Sequence, residues 1–102
     1  MKVHNKLVRD KIPDIIKESG RRAITDILSD DGYIEALEIK LNEEVAEYQV
    51  DKSLEEMADI LEVLQAISIA RGYSLEQLEE KRREKAEERG GFKDKIFLRY
   101  VE

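Results

Sequence analysis

The sequence predicts a mainly α protein built as an antiparallel helical bundle, on three observations. Ile34, Leu37, Leu41, Val45 and Tyr48 recur at three- and four-residue intervals, which is one face of a helix. From Met57 to Ala70, ten of fourteen residues are apolar and point almost all the way round, so a second helix is expected to be buried on most of its surface. Helix-start residues Ser53 and Ser74 and stop residues Gly20, Gly72 and Gly90-Gly91 punctuate the chain at helical lengths. The 102 residues are read as a single domain, 1–102.

In chain order, Met1 to Ile12 reads as extended or irregular, because Pro13 disfavours helical geometry at Ile12. Pro13 suits a first helical turn, so Pro13–Ser19 is expected to be a short helix ended by Gly20. Arg22–Leu28 carries Ala23, Ile24, Thr25 and Ile27 and reads as a short strand. Ser29-Asp30-Asp31-Gly32 is turn chemistry within which the first long helix starts, running to about Gln49. Gln49–Ser53 is then a short connection, and short connections between helices favour an antiparallel hairpin. The second long helix, capped by Ser53, reaches Arg71. The third runs from Ser74, with Gln77 completing a capping box, to Arg89. That third helix is sparsely apolar (Leu75, Leu78, Ala86), with one side expected on the bundle and the other in water or over the site. Lys95–Val101 alternates and is rich in strand formers, so a small two-stranded sheet from residues 22–28 and 95–101 is expected beside the bundle.

The hairpin places two carboxylate pairs together. Glu44 and Glu47 lie one turn apart at the edge of the first apolar face, and Glu56 and Asp59 repeat that spacing on the second helix. Asp59 and Glu62 would sit on a dehydrated helix, where an ionised carboxylate needs a counter-charge. Lys40, Lys52 and Arg71 are the only basic residues between Ala23 and Glu80. A hard divalent cation with oxygen ligands, Mg²⁺ with Mn²⁺ as the alternative, is the expected neutraliser. Against this stands the ordinary reading. With 24 acidic residues, one-turn pairs arise by chance on solvated faces, and Glu56 three residues after Ser53 could simply cap its own helix.

The net charge of −6 is unevenly spread: residues 1–22 carry +4, residues 23–80 carry −13 and residues 81–101 carry +4. An acidic centre between basic ends suits a metal-bound polyphosphate, although the ends could equally neutralise the middle. Lys6 and Arg9 before the short helix, and the stripe Lys81, Lys85 and Arg89 on the third long one, are candidates for phosphate contact. Solvated pairing with Glu80, Glu84 and Glu88 is the competing reading for that stripe. His4, the single histidine, has no partner motif and reads as a surface residue. An acidic chain without a basic-aromatic stripe excludes nucleic acid as the expected partner. The absence of cysteine excludes disulfides and thiolate sites, and no apolar run reaches membrane-spanning length. A cytoplasmic location is expected.

Glu43-Glu44-x-x-Glu47 followed by Glu56-x-x-Asp59 resembles the EExxE…ExxD pattern of the all-α nucleoside triphosphate pyrophosphohydrolases, the MazG-like group. Asn5 through Pro13 looks like the opening of a small MazG-like subfamily often labelled phosphoribosyl-ATP pyrophosphohydrolase. Lys81 through Phe92 looks like its closing segment, so the likeness spans nearly the whole chain. One departure is the gap of only eight residues between Glu47 and Glu56, which leaves little room for inserted substrate-binding structure.

The resemblance implies a helical bundle of the all-α NTP pyrophosphatase type and a metal set of Glu44, Glu47, Glu56 and Asp59 holding Mg²⁺. It also implies a homodimer or larger homo-oligomer. The expected reaction cuts the α–β phosphoanhydride of a nucleoside triphosphate or phosphoribosyl-ATP, giving a monophosphate and pyrophosphate. Glu43, or a ligand carboxylate with a free oxygen, would orient the attacking water. The competing expectations are a non-enzymatic helical dimerisation or adaptor module and an inactive metal-binding relative.

Overall fold

Four helices and no strands make up the computed structural model, which describes residues 1–102: α1 (Ile12–Glu18), α2 (Asp30–Asp51), α3 (Leu54–Ala70) and α4 (Leu75–Arg89). The α2–α3 hairpin is the packed part of the molecule, and its boundaries follow local chemistry. Ser29 opens α2 by accepting a hydrogen bond from the Gly32 N–H at 3.2 Å, with Asp30 and Asp31 in the positive first turn. The helix then runs through Asp51, further than the sequence suggested, and turns on Lys52 alone. Lys52 is left-handed (φ 55°, ψ 24°), and its N–H donates to the Tyr48 carbonyl at 2.8 Å. A non-glycine residue there costs about 1–2 kcal/mol. Lys52 offsets part of that cost with Nζ donating to the Gln49 amide oxygen and lying 5.2 Å from the centre of the Tyr48 ring. The connection is thus Lys52-Ser53, two residues instead of five.

Ser53 opens α3 by accepting from the Glu56 N–H at 3.2 Å. At the open end of the hairpin the Arg71 guanidinium donates to Glu38 of α2 at 2.9 Å. Between these clamps, Leu37 and Val63 are the buried apolar residues. A turn locks the end of α3: the Tyr73 N–H donates to the Ser68 carbonyl at 2.9 Å, and the buried Ser68 hydroxyl donates to the Tyr73 carbonyl. Ser74 and Gln77 close the capping box that starts α4. Pro13 sits in the first turn of α1 as expected, with Ile12 already helical and Lys11 at the N-cap.

Two expectations are corrected. The two-stranded sheet does not form: residues 22–28 and 95–101 carry no ladder, and Ile24, Ile27, Ile96 and Phe97 are exposed. Alternation supplies a face but not a partner edge, and an isolated two-stranded pairing is marginal in water. α3 is not buried on most of its surface within one chain; Met57, Leu61, Leu64 and Ile69 are 41–59% exposed. α4 makes its helix contact with α3. The molecule is accordingly elongated, 61 × 31 × 24 Å with a radius of gyration of 17.9 Å, against about 13 Å for a compact chain of this length. No helix is long and apolar enough to cross a membrane.

Candidate metal centre

Near the closed end of the hairpin, one oxygen from each of Glu44, Glu47, Glu56 and Asp59 lies within 4.8 Å of the other three. The antiparallel pairing does this: α2 contributes Glu44 and Glu47, α3 contributes Glu56 and Asp59, and one turn separates the members of each pair. Glu44 is buried, Glu56 and Asp59 are partly buried, and Glu47 is exposed. Two carboxylate charges at that spacing repel by about 3 kcal/mol at an effective dielectric near 20. The fold therefore holds together groups that drive one another apart.

Lysine and arginine answer only part of this charge. Lys40 Nζ, itself mostly buried, lies 3.3 Å from both Glu43 Oε1 and Glu44 Oε1. Lys6 Nζ reaches Glu43 Oε1 at 3.3 Å, and Arg9 Nη2 reaches Asp59 Oδ1 at 2.6 Å. Glu47 and Glu56 have no cation partner. Beyond the few basic residues between Ala23 and Glu80, the irregular N-terminal segment brings in two more. Lys40 was legible, being three and four residues before Glu43 and Glu44, a spacing at which helical ion pairs form. Lys6 and Arg9 are separated from their partners by 37 and 50 residues, and no local pattern announces such pairs. Glu62 is exposed and stands outside the cluster.

Two buried carboxylate oxygens, Glu44 Oε2 and Glu56 Oε2, have no hydrogen-bond partner. An unpaired buried acceptor is costly, more so when charged. Glu56 is not spent on capping: its N–H donates to Ser53, but no return bond from its carboxylate closes a box as Gln77 does for α4. Burial pushes the Glu44 carboxyl above the ordinary glutamate range. The neighbouring Glu47 carboxylate adds to this, while Lys40 opposes it. Glu43 moves the other way; burial raises it, but hydrogen bonds and charge from Lys40 and Lys6 together hold it below the ordinary value.

The donor set fits a small hard dication. Oxygens on opposite sides of an octahedral Mg²⁺ stand about 4.2 Å apart, so a cluster within 4.8 Å closes on an ion with small side-chain adjustments. The orphaned oxygens of Glu44 and Glu56 are the acceptors such an ion would satisfy. Beside the quartet lies a shallow, open depression of about 430 Å³ lined by Ala46, Glu47, Val50, Asp51 and Glu56.

Of the residues expected to contact phosphate, Arg9 reaches the cluster at Asp59 and Lys6 reaches Glu43 beside it. Lys81, Lys85 and Arg89 ride on α4, and none pairs with the quartet; Lys81 Nζ instead lies 2.9 Å from Glu84 Oε2, as in the solvated reading. No family model matches the chain, and no solved structure matches it. It is 58% identical over 41 residues to an uncharacterised protein of Mycolicibacterium smegmatis (strain ATCC 700084 / mc(2)155), a match covering 40% of this chain. The same match spans 42% of that protein's length.

Proposed function

We propose that the chain is a Mg²⁺-dependent nucleotide pyrophosphohydrolase of the MazG-like, all-α type. It would cut the α–β phosphoanhydride of a nucleoside triphosphate or phosphoribosyl-ATP to a monophosphate and pyrophosphate. One observation carries this reading: carboxylates from two facing helices converge although they repel, and two of their buried oxygens have no partner. Such a cluster is costly unless cations complete it, and Lys40 and Arg9 answer only part of its charge. The EExxE…ExxD resemblance adds the reaction class. Mg²⁺ bound there supplies Lewis-acid stabilisation of charge on the transferred phosphate and an acidified water. Glu43, kept ionised by Lys40 and Lys6, stands next to ligand Glu44 and can accept a hydrogen bond that orients the attacking water. Lys6 and Arg9 supply positive charge for phosphate oxygens.

Replacing Asp59 with Asn, or Glu56 with Gln, is expected to lower pyrophosphate release at least about a hundredfold, since loss of a ligand carboxylate removes several kcal/mol of charge stabilisation. Helical circular dichroism should persist. Full activity in the Asp59→Asn protein would end the proposal.

A second reading is favoured by the exposed apolar residues of α3: a non-enzymatic dimerisation or adaptor module whose acids are merely neutralised by Lys40 and Arg9. Mg²⁺ should then leave the melting temperature unchanged, whereas the enzyme reading requires it to rise. An inactive relative would show that rise without turnover.

A further inference from the structure

Arg9 occupies Asp59, one of the four clustered carboxylates, at 2.6 Å, and Lys6 reaches Glu43 beside the cluster at 3.3 Å. Both cations belong to the segment before α1, which has no regular structure apart from a turn at Asp10. α1 itself makes no close backbone approach to any other helix. The polar contacts between this arm and the hairpin's acidic end are these charge pairs, with Leu7 and Val8 of the arm partly buried beside them. Both pairs are largely solvent-exposed, with Arg9 the more exposed partner of its pair. Exposed pairs of this kind are weak and exchange readily.

We propose that the N-terminal arm is an internal counter-ion for the metal-free site, and that Arg9 exchanges from Asp59 to substrate phosphate when the metal loads. This rests on the metal reading of the quartet and assigns its regulation. Arg9 holds Oδ1 of Asp59, and a guanidinium and a divalent ion on one carboxylate compete for its single charge. Mg²⁺ on Asp59 therefore loosens Arg9. Loosening leaves a guanidinium, five donors in a planar fork, a few ångströms from a bound metal and with no acid to pair. A polyphosphate on that metal is the acceptor whose geometry matches it, since guanidinium binds phosphate oxygens in pairs. Lys6 follows the same logic more weakly, because its partner Glu43 lies outside the ligand set and keeps Lys40. The arm would thus weaken the binding of stray cations at the free site and pass Arg9 to the substrate that arrives there.

The test is direct Mn²⁺ binding to the full chain, without nucleotide, in wild type, Arg9→Ala and Lys11→Ala. Lys11 carries the same charge two residues away and has no ion-pair partner, so it controls for bulk electrostatics. Arg9→Ala should bind Mn²⁺ about two- to fivefold more tightly than wild type, the range an exposed ion pair can contribute, and Lys11→Ala should be near wild type. The Mg²⁺ complex of inorganic tripolyphosphate should in turn bind Mg²⁺-saturated Arg9→Ala at least about tenfold more weakly. Unchanged or weakened Mn²⁺ affinity in Arg9→Ala, an equal gain in Lys11→Ala, or unaltered tripolyphosphate binding would each overturn the exchange. Failure of all three proteins to bind Mn²⁺ would instead reject the metal centre itself, and the exchange with it.

Discussion

Glu44 is one carboxylate through which pH acts on the metal-free protein. Burial raises its pKa above the glutamate value of 4.5. The folded state therefore binds its proton more tightly than the unfolded state, and ionisation works against the fold. Stability linked to this group is present at low pH and falls as pH rises from about 4.5 through the raised value. Glu43, whose pKa is lowered, contributes stability that is lost only as pH falls below the ordinary range. Glu44→Gln should accordingly raise the metal-free melting temperature, by an amount that grows between pH 4 and neutrality. In saturating Mg²⁺ the order should reverse, because wild type gains ligand stabilisation that the amide cannot match. Thermal denaturation across pH, with and without Mg²⁺, checks both halves. A gap that ignores pH would contradict the assignment of burial as the cause. The acids were legible in the sequence because one-turn spacing on two linked helices leaves few ways to arrange them. Arg9 was not, since an ion pair formed by an irregular segment leaves no periodicity to read.

At the scale of elements, the tight turn Lys52-Ser53 ties helix capping to the site. Ser53 accepts from the N–H of Glu56, so the residue that starts α3 also fixes a proposed ligand. Ser74 does the same service for α4, remote from the cluster. Ser53→Ala and Ser74→Ala should each cost about 1 kcal/mol of stability. Only Ser53→Ala should also weaken Mn²⁺ binding, by several-fold. Equal metal affinity in the two variants would separate the turn from the site. The hairpin itself was readable from apolar periodicity and the serine caps. The two expected strands do not form, because residues 22–28 and 95–101 show the alternation of strands but find no edge to join. Strand formation depends on a non-local partner, whereas the helices carry their hydrogen bonds within themselves.

At the scale of the molecule, one chain leaves too much apolar surface uncovered. Leu61 and Leu64 of α3 and Leu75 and Leu78 of α4 are at least 40% exposed, and the shape is far from globular. We propose that α3 pairs with α3 of a second copy, so that two hairpins share a four-helix core. Light scattering at micromolar concentration should then give twice 11.9 kDa, and Leu61→Glu should return the single-chain mass with helicity largely kept. A single-chain mass for wild type would leave the arm and the C-terminal segment to cover that face. The central claim is narrower than the assembly, because it concerns what the carboxylate quartet does. It is tested most directly by incubating wild-type protein with a panel of nucleoside triphosphates and phosphoribosyl-ATP, with Mg²⁺ and again with excess chelator. The account predicts release of pyrophosphate and the matching monophosphate from at least one of them, lost when Mg²⁺ is removed. Orthophosphate as the first product, or turnover that survives the chelator, would contradict it.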